Sequence, residues 1–249
     1  HQWWGSMVTN ANGRNYWFVE SLAEYSSALF VEAINSDPKK PEKGRKAYLE
    51  KVADWRRNIL ESGMIGSVQN ATSLWSNGAR NAAIYNQGPY AFHILRETFG
   101  DAKFFPFMKK LAQELKGKEI VTRDIQRISE ESFGINMDWF WDQWIRGVGL
   151  PQFTFNYTTR KTEDGAYLVE GKIRQRVVAG PDKTPIPGVF YNALAKVVAI
   201  GSKGEYPKQV AIQGEETSFK FKVAEEPIDV VFNKSGEVLA TDVLVNRGF

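Results

Sequence analysis

The sequence contains no cysteine. Disulfides and thiolate metal sites are therefore excluded, and any metal must be held by His, Asp or Glu. Histidine is itself scarce, present only at His1 and His93. No run approaches the roughly 18 consecutive apolar residues that a membrane span needs, and no stretch reads as a signal peptide, so this segment is expected to make no membrane contact. An excess of one charge is missing too: 32 basic residues against 29 acidic give a formal net charge of +3. So even a balance creates no broad field to attract phosphates, and nucleic acid is not expected as a partner. Internal repeats and low-complexity tracts are absent. What is present is a 249-residue chain with 43% hydrophobic content, enough to build a core in one large domain or two ordinary ones.

Composition changes near Leu150-Pro151. All eight Trp and all four Met lie before that point, and Val becomes much denser after it. Before it, apolar residues recur at three and four positions, as in Leu22, Tyr25, Leu29; Phe92, Leu95, Phe99; Ile125, Ile128; and Met137, Trp141, Trp144. That period places them on single faces of amphipathic helices. Gly100-Asp101 separates two of these helices, Thr122 and Asn136 are expected N-caps, and Gly147 and Gly149 close the last. The segment from Ser36 to Gly44, with Pro38 and Pro41 among lysines, is expected to be a solvated loop. After the boundary the period becomes two, as in Ser218-Phe219-Lys220-Phe221-Lys222-Val223, with turns at Glu163-Asp164-Gly165 and Lys234-Ser235-Gly236. The spacing predicts strands near 153–160, 166–177, 190–200, 206–213, 217–224, 228–233 and 237–245. The fold expected is an α + β multidomain one: an all-helical part over residues 1–149, then an immunoglobulin- or fibronectin-III-like β-sandwich over 150–249.

The chain opens His1-Gln2-Trp3-Trp4-Gly5, and eighteen residues separate His1 from Glu20 in Trp17-Phe18-Val19-Glu20-Ser21-Leu22-Ala23-Glu24-Tyr25. This pattern resembles the M1 family of gluzincin zinc aminopeptidases, whose signature is H-E-x-x-H followed, after eighteen residues, by Glu. Two imidazoles one helical turn apart share a face, and a carboxylate from the next helix completes three ligands while leaving an open position for water. By that resemblance His1 is the second histidine ligand of one zinc ion and Glu20 the carboxylate ligand. The first His and the general-base Glu would lie upstream, so the chain is read as a C-terminal fragment that begins inside the motif. Ser21 stands where many members have Gly, and its small size is not expected to abolish binding.

A second match, Ile84-Tyr85-Asn86-Gln87-Gly88, sits where the family has Tyr-x-Lys-Gly at the start of a helix lining the cleft. The resemblance gives Tyr85 the catalytic role of donating a hydrogen bond to the oxyanion of the tetrahedral intermediate. Gln87 replaces the usual Lys, which puts any contact needing that charge in doubt. A third, Trp139-Phe140-Trp141-Asp142-Gln143-Trp144-Ile145 followed by Gly149-Leu150-Pro151, resembles the junction between catalytic helices and β-sandwich and is read as packing and linker. Peptides are the substrates implied. The Gly-x-Met-Glu-Asn loop by which the family captures the substrate amine has no counterpart here, so removal of amino-terminal residues is implied by resemblance alone, and no substrate-binding residue is assigned.

Other residues have plainer readings. His93, on a helix with Tyr90, Phe92 and Ile94, is expected to be a satisfied structural residue. Glu24, one turn after Glu20, is either a group that orients a ligand or a surface ion-pair partner. The Lys39-Lys40 and Lys109-Lys110 pairs are read as solvated, and Asp164, Glu215 and Glu216 as turn residues. With two of three protein ligands and no base, the isolated chain is expected to have negligible peptidase activity and weak or no zinc occupancy. The stretch from His1 to Tyr16, lacking its preceding helix, is expected to fray or rearrange. A non-catalytic M1-like binding or scaffold module is the alternative, and an aromatic carbohydrate-binding protein a more distant one. The compartment is not fixed, an extracytoplasmic one being favoured, and oligomeric state is open.

Overall fold

The computed structural model describes residues 1–40, 42–63, 66–73 and 77–248; Pro41 of the expected loop lies outside them. The chain forms two compact units. One comprises His1–Gly149 together with Ala179–Lys183, the other Leu150–Val178 together with Thr184–Phe249. A single cut at 149/150 thus misses one short excursion, 179–183, that belongs with the helices.

The first unit is helical: α1 (Trp17–Asn35), α2 (Glu42–Glu61), α3 (Asn77–Ala82), α4 (Gly88–Phe99), α5 (Asp101–Leu115), α6 (Thr122–Phe133) and α7 (Asp138–Trp141). Two π-helical turns, Ala83–Gln87 and Asp142–Arg146, continue α3 and α7. Its core is aromatic. Trp17, Phe18, Tyr25, Tyr48, Phe92, Phe104, Phe107, Phe140, Trp141 and Trp144 are all buried, and Trp17 stacks on Phe92 with ring centroids 6.4 Å apart. Burial of this kind, rather than helix propensity, stabilises the short helices.

Several helix ends differ from expectation. The loop after α1 is shorter than expected, because α2 begins at Glu42 and includes Gly44. Thr122 is the first helical residue of α6, not its cap; the cap position is Val121, whose N–H donates to the Asp124 carboxylate at 2.9 Å. The Thr122 hydroxyl is used elsewhere, donating to Asn15 Oδ1 at 2.9 Å and accepting from the Trp17 indole at 3.0 Å. Asn136 is not the cap of α7 either; the cap position is Met137, and Asn136 lies one residue earlier, where its Oδ1 accepts the Asp138 N–H at 2.9 Å in an Asx turn.

The opening segment is tied down rather than frayed. Strand β1 (Val8–Asn10) pairs in parallel with β2 (Lys118–Ile120), in register Val8↔Lys118 to Asn10↔Ile120. Before β1 the chain doubles back: the Met7 and Val8 N–H groups both donate to Trp3 O, and Gly5 N–H to Val8 O at 2.8 Å. Gly5 has φ +116°, and a Cβ there would stand 3.1 Å from Val19 and 3.6 Å from His1 Nδ1. Glycine is what lets this turn close against α1. Trp4, buried, donates its indole N–H to Ser26 on α1 at 3.1 Å.

The second unit is β-rich. Strands β3 (Leu150–Lys161), β4 (Tyr167–Ala179), β5 (Thr184–Pro185), β6 (Ala193–Ile200), β7 (Glu205–Ile212), β8 (Glu216–Val223), β9 (Asp229–Phe232) and β10 (Val243–Arg247) make two sheets. One runs β10-β3-β4-β5 with β8 also on β4; the other runs β7-β6-β9. All pairings described are antiparallel except β10 with β3, which is parallel. Phe153 and Phe155 of the first sheet meet Phe232 of the second at ring centroids 5.2 and 5.6 Å apart, so apolar faces of both sheets share a core. The last strand begins later than the apolar pattern suggested. Val238 to Thr241 are buried without strand geometry, held by the Asn233 side chain, which bonds both the N–H and the C=O of Val238.

Candidate metal and catalytic site

His1, Glu20 and Tyr85 come together on the helical unit. Glu20 lies in the first turn of α1 and is buried, at 8% exposure. A buried carboxylate must find donors, since isolating it from water is costly. It has them on both oxygens: His1 Nε2 stands 3.1 Å from Oε2, and the Tyr16 hydroxyl donates to Oε1 at 2.6 Å. The other His1 nitrogen, Nδ1, lies 3.1 Å from Trp4 O. Donation from Nδ1 to that carbonyl leaves Nε2 as the nitrogen facing Glu20. Facing a carboxylate, Nε2 needs either its own proton or a shared cation.

The geometry suits a cation. Two donors each about 2.0–2.1 Å from a tetrahedral zinc stand about 3.3 Å from one another, close to the 3.1 Å found between His1 Nε2 and Glu20 Oε2. Imidazole nitrogen and carboxylate oxygen are also the donor types zinc accepts. Among the described residues no group of three or more His, Cys, Asp or Glu side chains could hold a metal. His1 and Glu20 are two such side chains, one fewer than a three-ligand protein site needs.

Tyr85 sits in the π-helical turn Ala83–Gln87, between α3 and α4, and is 38% exposed. Its phenol faces the Glu20 carboxylate and the Tyr16 hydroxyl, and its pKa is held above the ordinary value, first by burial and then by the hydrogen bond and negative charge of Glu20. At neutral pH it is a protonated donor. Its place depends on Ser21. The Ser21 hydroxyl, fully buried, donates to Ile84 O at 2.7 Å, tying α1 to the turn. Such a bond is available because a π turn displaces carbonyls from the α-helical pattern. Gly88 permits the approach: a Cβ there would lie 1.9 Å from Ser21 Oγ. Gln87 is buried at 3% exposure and so presents no charge or long polar arm to solvent.

Glu24 points elsewhere. Its Oε1 accepts the Trp55 indole N–H of α2 at 3.2 Å, which holds α2 against α1 one turn beyond Glu20. His93 is fully buried, with Nδ1 2.9 Å from the Tyr48 hydroxyl and its ring edge-on to Tyr90. Tyr16 is the neighbour of Glu20 that sequence reasoning missed. The available signal was its i, i+4 spacing to Glu20, which places the cap residue of α1 one turn before the carboxylate on the same side of the helix.

Residues 1–144 match the peptidase family M1 domain. A leucine aminopeptidase 2 from Neosartorya fischeri is 26% identical over 167 residues, covering 61% of this chain and 26% of that protein. Aminopeptidase N from Lactococcus lactis is 26% identical over 157 residues, covering 61% of this chain and 18% of its own length. In fold, the crystal structure of Legionella pneumophila aminopeptidase A in complex with aspartic acid matches 100% of this chain with 26% of its own, at a TM-score of 0.67 and 18% identity. The chain therefore spans about a quarter of the length of such relatives. Because the domain match takes in residues 1–144 of 249, the chain belongs to peptidase family M1.

Proposed function

We propose that this chain supplies part of the zinc site and the oxyanion donor of an aminopeptidase that hydrolyses amino-terminal peptide bonds. His1 and Glu20 are the residues that would hold the metal, and Tyr85 is the catalytic phenol. The observation that carries the proposal is the 3.1 Å approach of His1 Nε2 to Glu20 Oε2, with Tyr85 facing the same carboxylate. When bound, zinc supplies Lewis acidity, polarising the scissile carbonyl and acidifying water. Tyr85, kept protonated, donates a hydrogen bond to the carbonyl oxygen as it gains negative charge, and that bond strengthens toward the transition state. Ser21 and Gly88 fix where the phenol stands, and Glu24 steadies the same helix through Trp55. The β-rich unit, read as an immunoglobulin- or fibronectin-III-like sandwich, takes no part in the chemistry.

The isolated 249-residue chain offers two protein ligands and no general base, and is expected to be inactive. The test is an aminopeptidase assay on the isolated chain and on the full-length protein, with metal analysis of both. Chelator-sensitive turnover and one zinc per molecule are expected only in the full-length protein. Turnover in the isolated chain would refute the division of the site. A full-length protein with neither zinc nor activity would favour the alternative, a non-catalytic M1-like scaffold module.

A further inference from the structure

We infer that Tyr16 is a positioning residue for the metal site, holding the Glu20 carboxylate so that Oε2 alone is presented on the His1 side. This deepens, and rests on, the reading of Glu20 as a ligand. Two observations carry it. First, the Tyr16 hydroxyl donates to Glu20 Oε1 at 2.6 Å, at the short end for an O–H···O⁻ bond. Oε1 is thereby occupied, and Oε2 is the oxygen 3.1 Å from His1 Nε2. Second, the chain around Tyr16 is anchored independently of Glu20. Tyr16 is the N-cap residue of α1, following a 3₁₀ turn at Gly13–Asn15. Buried Asn15, its neighbour, accepts from both the N–H and the hydroxyl of Thr122, at 2.8 and 2.9 Å. The Trp17 indole donates to that same hydroxyl at 3.0 Å. Residues on either side of Tyr16 are thus fastened to the start of α6, which fixes where its phenol can reach.

Groups that orient a metal ligand through its free atom commonly change metal affinity by about 10–100-fold when removed. Tyr16 is 37% exposed, so Tyr16→Phe removes the hydroxyl without opening a core cavity. The experiment compares full-length wild type, Tyr16→Phe, Glu20→Gln and the double variant, titrated with zinc alone against a chromophoric chelator, with thermal midpoints of the metal-free proteins as the folding control. Expected are a loss of zinc affinity of about tenfold or more in Tyr16→Phe, a larger loss in Glu20→Gln, no additional loss in the double variant, and metal-free midpoints that stay above the titration temperature in every variant, so that all are folded when titrated. Tyr16→Leu should match Tyr16→Phe, since the hydroxyl and not the ring is at work.

Zinc affinity in Tyr16→Phe within twofold of wild type, beside a clear loss in Glu20→Gln, would overturn the role of Tyr16 and leave Glu20 a ligand. An equal loss on adding Tyr16→Phe to Glu20→Gln would show that the effect does not pass through Glu20, and would also overturn it. Unchanged affinity in Glu20→Gln would sink both readings.

Discussion

The two units differ in the polar groups that tie their elements together, although each also buries bonded polar side chains, as the β-rich unit does with Gln175 on the Tyr191 and Gly214 backbone. In the helical unit, polar side chains are buried and joined across helices: Glu20 with His1 and Tyr16, Ser21 with Ile84 O, and Arg96, 3% exposed, with Glu32 at 2.5 Å and Asp101 at 2.6 Å. In the β-rich unit Glu237 is buried near Lys196, but the charges of β4 and β8 stand on the solvent face as cross-strand pairs, such as Lys172 with Glu216 at 2.7 Å and Lys220 with Glu170 at 3.5 Å. Exposed pairs of this kind are screened and weak, whereas buried ones lose heavily when one partner is removed. Precise chemistry needs side chains locked in place, and the helical unit offers that environment around its candidate site.

Substitutions break the comparison most sharply at the site. Tyr85→Phe in the full-length protein is expected to lower kcat by about 10²–10³-fold, as for loss of an oxyanion donor, with little change in urea midpoint; steady-state kinetics beside denaturation measures both. Next comes Arg96→Leu. It strands the Glu32 carboxylate and is expected to cost about 3 kcal/mol in chemical denaturation, while Lys172→Ala on the β face leaves the midpoint unchanged. Gly88→Ala forces a methyl against Ser21 and is expected to cost about 1–3 kcal/mol, with activity falling further than stability because Tyr85 is displaced.

The smallest effect belongs to pH. In the β-rich unit, the Asp164 carboxyl is lowered to about 2, chiefly by its bond from Lys222, and Glu225 to about 2, chiefly by its bond from the Ser202 hydroxyl. Depressed carboxylates stabilise the folded state above their unfolded values, about 4, and that contribution is lost as pH falls through the folded ones. The urea midpoint is therefore expected to be insensitive to these two groups above about pH 5 and to fall slightly between about pH 4 and 2. Asp164→Asn with Glu225→Gln should flatten that segment, and an unaltered slope would show that the two carboxylates contribute nothing there.

Much of the architecture was legible because periodicity survives in sequence: helices through Leu22 and Tyr25, Phe92 and Leu95, Ile125 and Ile128 fall where the 3.6 spacing put them. The segment from Val238 to Thr241 was misread as strand because a buried apolar run looks alike in a strand and in a loop; what distinguishes it is Asn233 satisfying its backbone, a tertiary fact. Thr122 was misread as a cap because a hydroxyl before an apolar run is a cap signal, yet here Asn15 and Trp17 claim it. At the site, His1, Glu20 and Tyr85 were found by motif, not by geometry. The grip of Tyr16 on Glu20 is an i, i+4 contact that the spacing allowed but did not single out, whereas the fit of Ser21 against Gly88 depends on how α1 meets the π turn, which no local spacing encodes.

The most direct test is zinc stoichiometry of the full-length protein beside its Glu20→Gln variant, purified alike and measured by metal analysis. One zinc in the wild type and essentially none in the variant is the expected result, with both folded by circular dichroism. Equal zinc in the two would contradict the claim that this carboxylate and the His1 imidazole share a cation.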